Sequence, residues 1–264
     1  MNLGGRSVLL TGATGGIGHA IARAAAARGA RLVLTGRRAD VLEPLAAELS
    51  ARAIACDLSR PEEVSRLLGE VGNADALIAN AALPASGRLS SFGVEELDAA
   101  LAVNLRAPMV LAHGLSAGMV ARSSGHIVFI SSISGKTASV GGSVYSATKF
   151  GLRGFALGLR EDLRGTGVGV STVFPGFISD AGMFHESRAE LPGYVGMRTP
   201  EQVADAVVRA IERDRSEIDV APLSVRVGAA VAGLAPELSG RLQRRLGSDK
   251  VADAMAEGQR AKRR

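Results

Sequence analysis

Short apolar runs recur along the chain at Ser7–Leu10, Arg31–Thr35, Ala53–Cys56, Ala76–Ala79, Ile127–Ser131, Val168–Phe174 and Glu217–Val220. Most are near-continuous in Val, Ile, Leu and Ala, the pattern of strands buried on both faces of a parallel sheet. The stretches between them are longer and helical in composition, and alanine-rich Ile17–Arg28 is the clearest. Strand and helix alternate throughout, so the pattern predicts a single-domain α/β protein: a doubly wound parallel sheet with helices on both faces. At 264 residues and 47% hydrophobic the chain buries one sizeable core, with no internal repeat and no low-complexity linker.

Between the first apolar run and the first helix lies TGATGGIG, Thr11–Gly18. Strand, glycine loop and helix in that order suit a Rossmann-type sheet. Gly12 permits the tight turn, Gly16 lets backbone N–H groups approach a pyrophosphate, and Gly18 lets helix and strand pack closely. A loop made only for helix packing is the plainer reading of one such motif. The second apolar run tips the balance, because it ends in Gly36, Arg37 and Arg38, where an acidic residue would hold a ribose 2′-hydroxyl. A small uncharged residue there leaves room for a 2′-phosphate, and a guanidinium fork matches phosphate geometry. NADP(H) is therefore expected over NAD(H), with Arg37 as the phosphate ligand. Arg38 is either a second ligand or a solvated strand end.

Tyr145 and Lys149 lie four residues apart in YSATKF, on one helix face, thirteen positions after Ser132. A tyrosine hydroxyl is a poor acid or base at neutral pH, and an ammonium beside it is expected to lower its pKa. Taken alone, Y-x-x-x-K is common on solvated helix faces.

With these motifs in order, the chain resembles the short-chain dehydrogenase/reductase family from about Leu3 to Pro222. The resemblance implies catalytic roles for Asn104, Ser132, Tyr145 and Lys149. Tyr145 would exchange a proton with the substrate oxygen, Ser132 would hold that oxygen, and Lys149 would also bind the nicotinamide ribose. Asn104, in AVNL, would hold a water against the lysine through its main chain. The CDL stretch places Asp57 and Leu58 at the adenine, and Asn80, in NAA, steadies the central strand. Ala82 stands where the family has glycine. Thr14 and Ile17 join Gly12, Gly16 and Gly18 in the cofactor loop. In PGFI, Pro175, Gly176 and Ile178 flank the nicotinamide, with the Ile178 backbone meeting the carboxamide. Asp180 replaces a common threonine; an internal cap of the lid is its expected role, ahead of orienting substrate.

The implied activity is an NADP(H)-dependent oxidoreductase interconverting a ketone and a secondary alcohol, and the alternative is a non-catalytic NADP(H) sensor or scaffold. Residues 1–222 would form the catalytic domain, with a substrate lid over about 177–199. The lid's Phe177, Met183, Phe184, Leu191, Val195 and Met197 suit either an apolar, lipid-like substrate or packing of the lid on itself. His185 is expected to be exposed. Phe150, Phe155 and Leu159 are spaced for a face buried against core or subunit. The family's habit of pairing the helices that carry Asn104 and Tyr145 implies a homodimer or homotetramer.

Residues 223–264 form an expected helical extension with a basic tail. Residues 241–264 hold eight Lys/Arg and three Asp/Glu, a net of +5 that equals the net charge of the whole chain. The expectation is helices packed on the domain and a solvated tail; peripheral contact with an anionic membrane is the second reading. Nucleic acid is not an expected partner, since there is no Trp, only two Tyr and no recognised DNA-binding motif. The four histidines are scattered, so no metal is expected. Cys56 is the only cysteine, which excludes an intramolecular disulfide and fits a reducing cytoplasm. Met1–Gly5 leads straight into the first strand, so no signal peptide is expected.

Overall fold

In a computed structural model, residues 1–187, 195–235, 237 and 248–259 are described. Leu191 and, of the basic tail, residues 241–247 and 260–264 lie outside them. Seven parallel strands form one sheet in the order β3-β2-β1-β4-β5-β6-β7. They are β1 (Ser7–Thr11), β2 (Arg31–Gly36), β3 (Arg52–Ala55), β4 (Ala76–Ala79), β5 (Gly125–Ile130), β6 (Val168–Pro175) and β7 (Glu217–Val220). All seven expected strands are present. The largest shifts are at β5, which starts at Gly125 and releases Ser131, whose hydroxyl donates to the Lys149 carbonyl at 3.1 Å.

Successive residues of each strand serve opposite layers. Val8, Leu10, Ile78, Val128 and Ile130 face α1 (Gly16–Ala26), α2 (Ala39–Glu48) and α8 (Pro200–Arg213). Leu9, Leu77, Ile127 and Phe129 face α3 (Pro61–Val71), α5 (Ala107–Ala121) and α6 (Ser143–Asp162). Two-sided burial explains why the strands read as solid apolar runs rather than as alternation. The strand order reverses between β1 and β4, and the crevice beyond their C-terminal ends is where such sheets bind ligands.

One helical rod, α4 (Val94–Leu101) continuing into α5, contains a π-helical turn at Ala102–Arg106, closed by the Ala107 N–H on the Ala102 carbonyl five residues back. The sequence supplies a reason. In an α-helix the Asn104 carbonyl would accept from residue 108, which is Pro108 and has no N–H.

Beyond the sheet, α7 (Gly182–Ser187) follows β6, and α9 (Leu223–Leu234) starts from Pro222. α9 buries its small Ala229 and Ala232, and packs Ala229 and Val225 with Phe174, Ile133 and Ala221. It turns Leu223, Val227, Val231 and Leu234 outward. The last described helix is α10 (Ser248–Gln259). No described helix is long and apolar enough to cross a membrane.

Candidate active site

The glycine loop is held from below by a side-chain clasp. Thr11 Oγ1 accepts the N–H groups of Asn80 and Ala81 at 3.0 and 3.1 Å, and Asn80 Nδ2 donates to the carbonyls of Thr11 and Gly12, both at 3.1 Å. The clasp spans the β1/β4 crevice. Gly12 turns at φ +66°, and a Cβ there would meet the Ala81 Cα at 2.7 Å, so the turn admits only glycine. Sequence reasoning passes over Thr11, although its place as the last residue before the loop is the available signal.

α1 opens at Gly15 with no side-chain cap and no acidic residue in its first turn. Its leading N–H groups have no acceptor within the helix and sit at the positive end of the dipole, a fit for a pyrophosphate. Gly16 lies against Ala181 so closely that a Cβ on it would collide, which seats the start of the lid on this loop.

At the end of β2 the two arginines separate. The Arg38 guanidinium donates to the Thr14 carbonyl, bracing the loop, so the structure gives it a partner other than a solvated strand end. Arg37 faces Asp57 electrostatically. A Cβ on Gly36 would approach Thr14 Cγ2 to 2.8 Å, so glycine here keeps the Thr14 side chain in place. Asp57 Oδ1 accepts from the Ser59 N–H at 3.0 Å and hydroxyl at 2.8 Å. Burial raises the Asp57 carboxyl pKa, but these bonds together with Arg37 outweigh it and hold the group below its usual value. Leu58 is buried beside it.

On the other side of the crevice, Ser132, Tyr145 and Lys149 converge. The Tyr145 hydroxyl lies near enough to Ser132 for the serine hydroxyl to pull its pKa down. Ser132 Oγ also accepts from the Ser134 N–H at 3.1 Å and reaches the Pro175 carbonyl at 3.5 Å. Lys149, 2% exposed, donates to the Ile130 carbonyl at 2.9 Å and lies 5.5 Å from the Tyr145 ring centroid. Burial pushes the Lys149 ammonium down to about 8. Burial pushes the Tyr145 hydroxyl up to about 12, against the pull of Ser132. The expectation that Lys149 lowers the tyrosine pKa is not met in the protein alone, where desolvation by burial is the larger effect.

Asn104 is fully buried and spends its side chain on the Leu83 backbone, with Oδ1 accepting at 2.6 Å and Nδ2 donating at 2.9 Å. Only its main chain is left for any further role, and Pro108 withholds that carbonyl's helical donor.

After β6, Gly176 donates to the Val220 carbonyl at 3.0 Å. Phe177 and Ser179 bond to the Arg198 backbone, and strand alternation therefore turns the Ile178 N–H and C=O away from Arg198. Asp180 is exposed at φ +59°, and among the described residues its carboxylate makes no hydrogen bond and caps no backbone N–H. Its short polar side chain suits the left-handed turn. His185 is exposed, and Phe177 and Phe184 pack edge to face at 4.9 Å, which favours self-packing of the lid. Phe150 is 43% exposed and does not join Phe155 and Leu159 in the core. Two open hollows, about 390 and 370 Å³, line the β7 edge among Arg209, Asp219 and Arg226, away from this chemistry.

The short chain dehydrogenase family model matches residues 6–192. The chain belongs to this family. It is therefore a short-chain dehydrogenase/reductase, an oxidoreductase on a Rossmann-like α/β fold. It is 38% identical over 227 residues to a protein named ketoacyl reductase HetN of Nostoc sp., covering 83% of this chain and 79% of that one. Among solved structures, a metagenomic short-chain oxidoreductase in complex with NADP is 34% identical with a TM-score of 0.69, over 84% of this chain and 99% of that one. A putative betaketoacyl-ACP reductase is 29% identical with a TM-score of 0.75, over 83% and 97%.

Proposed function

We propose that this short-chain dehydrogenase/reductase uses NADPH to reduce the ketone of an apolar, β-ketoacyl-type substrate to a secondary alcohol. The observation that carries the reading is the convergence of Ser132, Tyr145 and the buried Lys149, with Lys149 bonded to Ile130 at the end of β5 and 5.5 Å from the Tyr145 ring centroid. The Tyr145 phenol is protonated at neutral pH, the form that reduction of a ketone needs, since the proton it gives up ends on the alcohol oxygen. A ketone oxygen seated between the two hydroxyls receives a hydrogen bond from Ser132 and its proton from Tyr145. A bound nicotinamide cofactor supplies the hydride. The names of the ketoacyl and betaketoacyl-ACP relatives support the substrate class, and the NADP-bound neighbour supports the cofactor.

The residues present fit that cofactor. Gly12, Thr14, Gly16, Ile17 and Gly18 would offer backbone to the pyrophosphate, and Arg37 would meet a 2′-phosphate, with Arg38 bracing the loop through Thr14. Asp57 and Leu58 would border the adenine, and Asn80 would fix the crevice. Pro175, Gly176 and the outward-turned Ile178 backbone would flank the nicotinamide. Tyr145 and Lys149 would reach its ribose. The Asn104 carbonyl would hold a water that returns a proton through Lys149 to Tyr145.

Residues 1–222 act as the catalytic unit in this reading and 223–264 as its extension, working in the cytoplasm. Exposed Met109, Phe150 and Leu157 on α5 and α6 supply an apolar face for a homodimer. The outward stripe of α9 is the surface on which peripheral membrane contact would act, and co-sedimentation with anionic vesicles tests it. The reading as a whole is tested by incubating the protein with deuteride-bearing NADPH and β-ketoacyl thioesters. A deuterated alcohol from wild type and at least about 100-fold less from Tyr145→Phe is expected; comparable label in both overturns the assignment.

A further inference from the structure

The last described helix returns to the catalytic end of the sheet. Gln259 Nε2 donates to the Met183 carbonyl of α7 at 3.2 Å, and Gly258 is pressed so close to Ser187 that a Cβ would collide with its carbonyl. At its other side, α10 meets the loop that precedes α6: Ala252 Cβ lies 3.5 Å from where a Cβ on Gly141 would stand. Asp253 faces Arg88 at 3.7 Å, and the Gly87 N–H joins the two loops by donating to the Gly141 carbonyl at 2.7 Å. Gly141 is four residues before Tyr145, and α7 begins four residues after Ile178. α10 thus bridges the segments on either side of the reacting groups.

The face it turns inward is uncharged. Ala252, Met255 and Ala256 are half-buried and Gln259 is 2% exposed, a helical i, i+3, i+4, i+7 set, while Asp253 and Glu257 point to solvent. A thioether between two alanines makes an adaptable apolar wall. The family match ends at residue 192, so nothing in it accounts for this helix.

We propose that α10 is the outer wall of the substrate cleft and that Met255 and Ala256 determine how long an apolar chain the ketone carries. This rests on the reductase reading above. With the wall in place, an apolar chain would run between α7 and the Gly141 loop, along the inward face of α10. Chain length is then read by the extension and not by the catalytic residues.

Two measurements test the wall. Arg88 and Asp253 face each other across this contact at 3.7 Å, and burial pushes the only native thiol, Cys56, up to about 11, which leaves it unreactive. The double variant Arg88→Cys/Asp253→Cys, in the full chain, should be joined by a short bis-maleimide; no crosslink in folded protein overturns the wall. Ala256→Phe should then lower kcat/KM for a 3-oxododecanoyl thioester at least tenfold while acetoacetyl thioester turnover and NADPH affinity change less than about threefold. Met255→Ala should shift preference toward the longer thioester. Equal effects on both thioesters, or none, overturn the proposal. A crosslink in a wild-type background that reduces neither thioester would keep the wall and refute the reductase reading, so the two failures are distinct.

Discussion

Lys149 gives its ammonium to the Ile130 carbonyl at 2.9 Å and stands only 5.5 Å from the Tyr145 ring centroid, with both side chains on one turn of α6. Neighbours in space, the two still titrate away from each other's interest. The lysine is held near 8 and the tyrosine near 12, because both lose water and neither is the other's partner. The pair is therefore poised for the ligand that separates them, whose ribose hydroxyls would take the ammonium away from Ile130.

From the lysine follows a pH limit. Its charge is complete well below pH 8 and is lost as pH rises through about 8, so kcat/KM for reduction should fall on the alkaline side with a midpoint near 8. In Lys149→Arg, which cannot deprotonate, that limb should vanish even if the rate is lower. A limb that stays near 8 in the arginine variant assigns it elsewhere.

Tyr145→Phe removes the donor without disturbing the fold's core. Turnover should drop by roughly 10²–10⁴-fold or more, with NADPH affinity, followed by fluorescence, within about threefold of wild type.

Arg37 and Arg38 should part company in cofactor selectivity. Arg37→Gln loses a charge-assisted contact and should weaken NADPH binding by about 10-fold while leaving NADH nearly unchanged. Arg38→Gln removes the brace on the Thr14 carbonyl, so both cofactors should weaken together. Calorimetry with each nucleotide separates the patterns.

Pro108→Ala restores the N–H that an α-helix would offer to the Asn104 carbonyl. The variant should be at least as stable thermally, because proline inside a helix costs about 3 kcal/mol. Its turnover should nevertheless fall several-fold as the carbonyl is drawn into the ladder. Rising stability with unchanged kcat would remove Asn104's main chain from the proton path.

Far from the cofactor crevice, His126 is buried at the foot of β5 with Nε2 2.8 Å from Ser171 Oγ. Burial holds it down to about 4; Asp214 pulls upward, while Arg160 and the N-terminus push down. A depressed histidine binds fewer protons folded than unfolded, so stability should fall as pH drops from 6.5 toward 4, by about 3 kcal/mol in all. In His126→Gln, denaturant midpoints should lose most of that slope.

Much of this molecule is legible in its sequence. Two-sided burial makes each strand a solid apolar run, and Ser132, Tyr145, Lys149 and the glycine loop announce themselves by spacing. What stayed hidden depends on partners distant in the chain. Thr11 acquires its meaning from Asn80, sixty-nine residues on. Asp180 looks like a cap until its backbone is seen in the left-handed region, with no described N–H for its carboxylate to cap. The pKa of Tyr145 depends on how dry α6 becomes, and no spacing rule carries desolvation. α10 reads only as charge and alanine until its glycine is found against Ser187.

Both open borders of the sheet, β3 and β7, are four residues long, and each carries charge: Arg52 on one, Glu217 and Asp219 on the other. Arg52 is clamped to Glu70, and Asp219 and Glu217 hold Lys136. Neither border gives an arriving chain a long ladder of free amides, and docking there would strip ions of their partners. The protein is thereby armoured against fibre-like growth, so a concentrated refolding mixture should yield discrete particles instead of sheets stacked end on end.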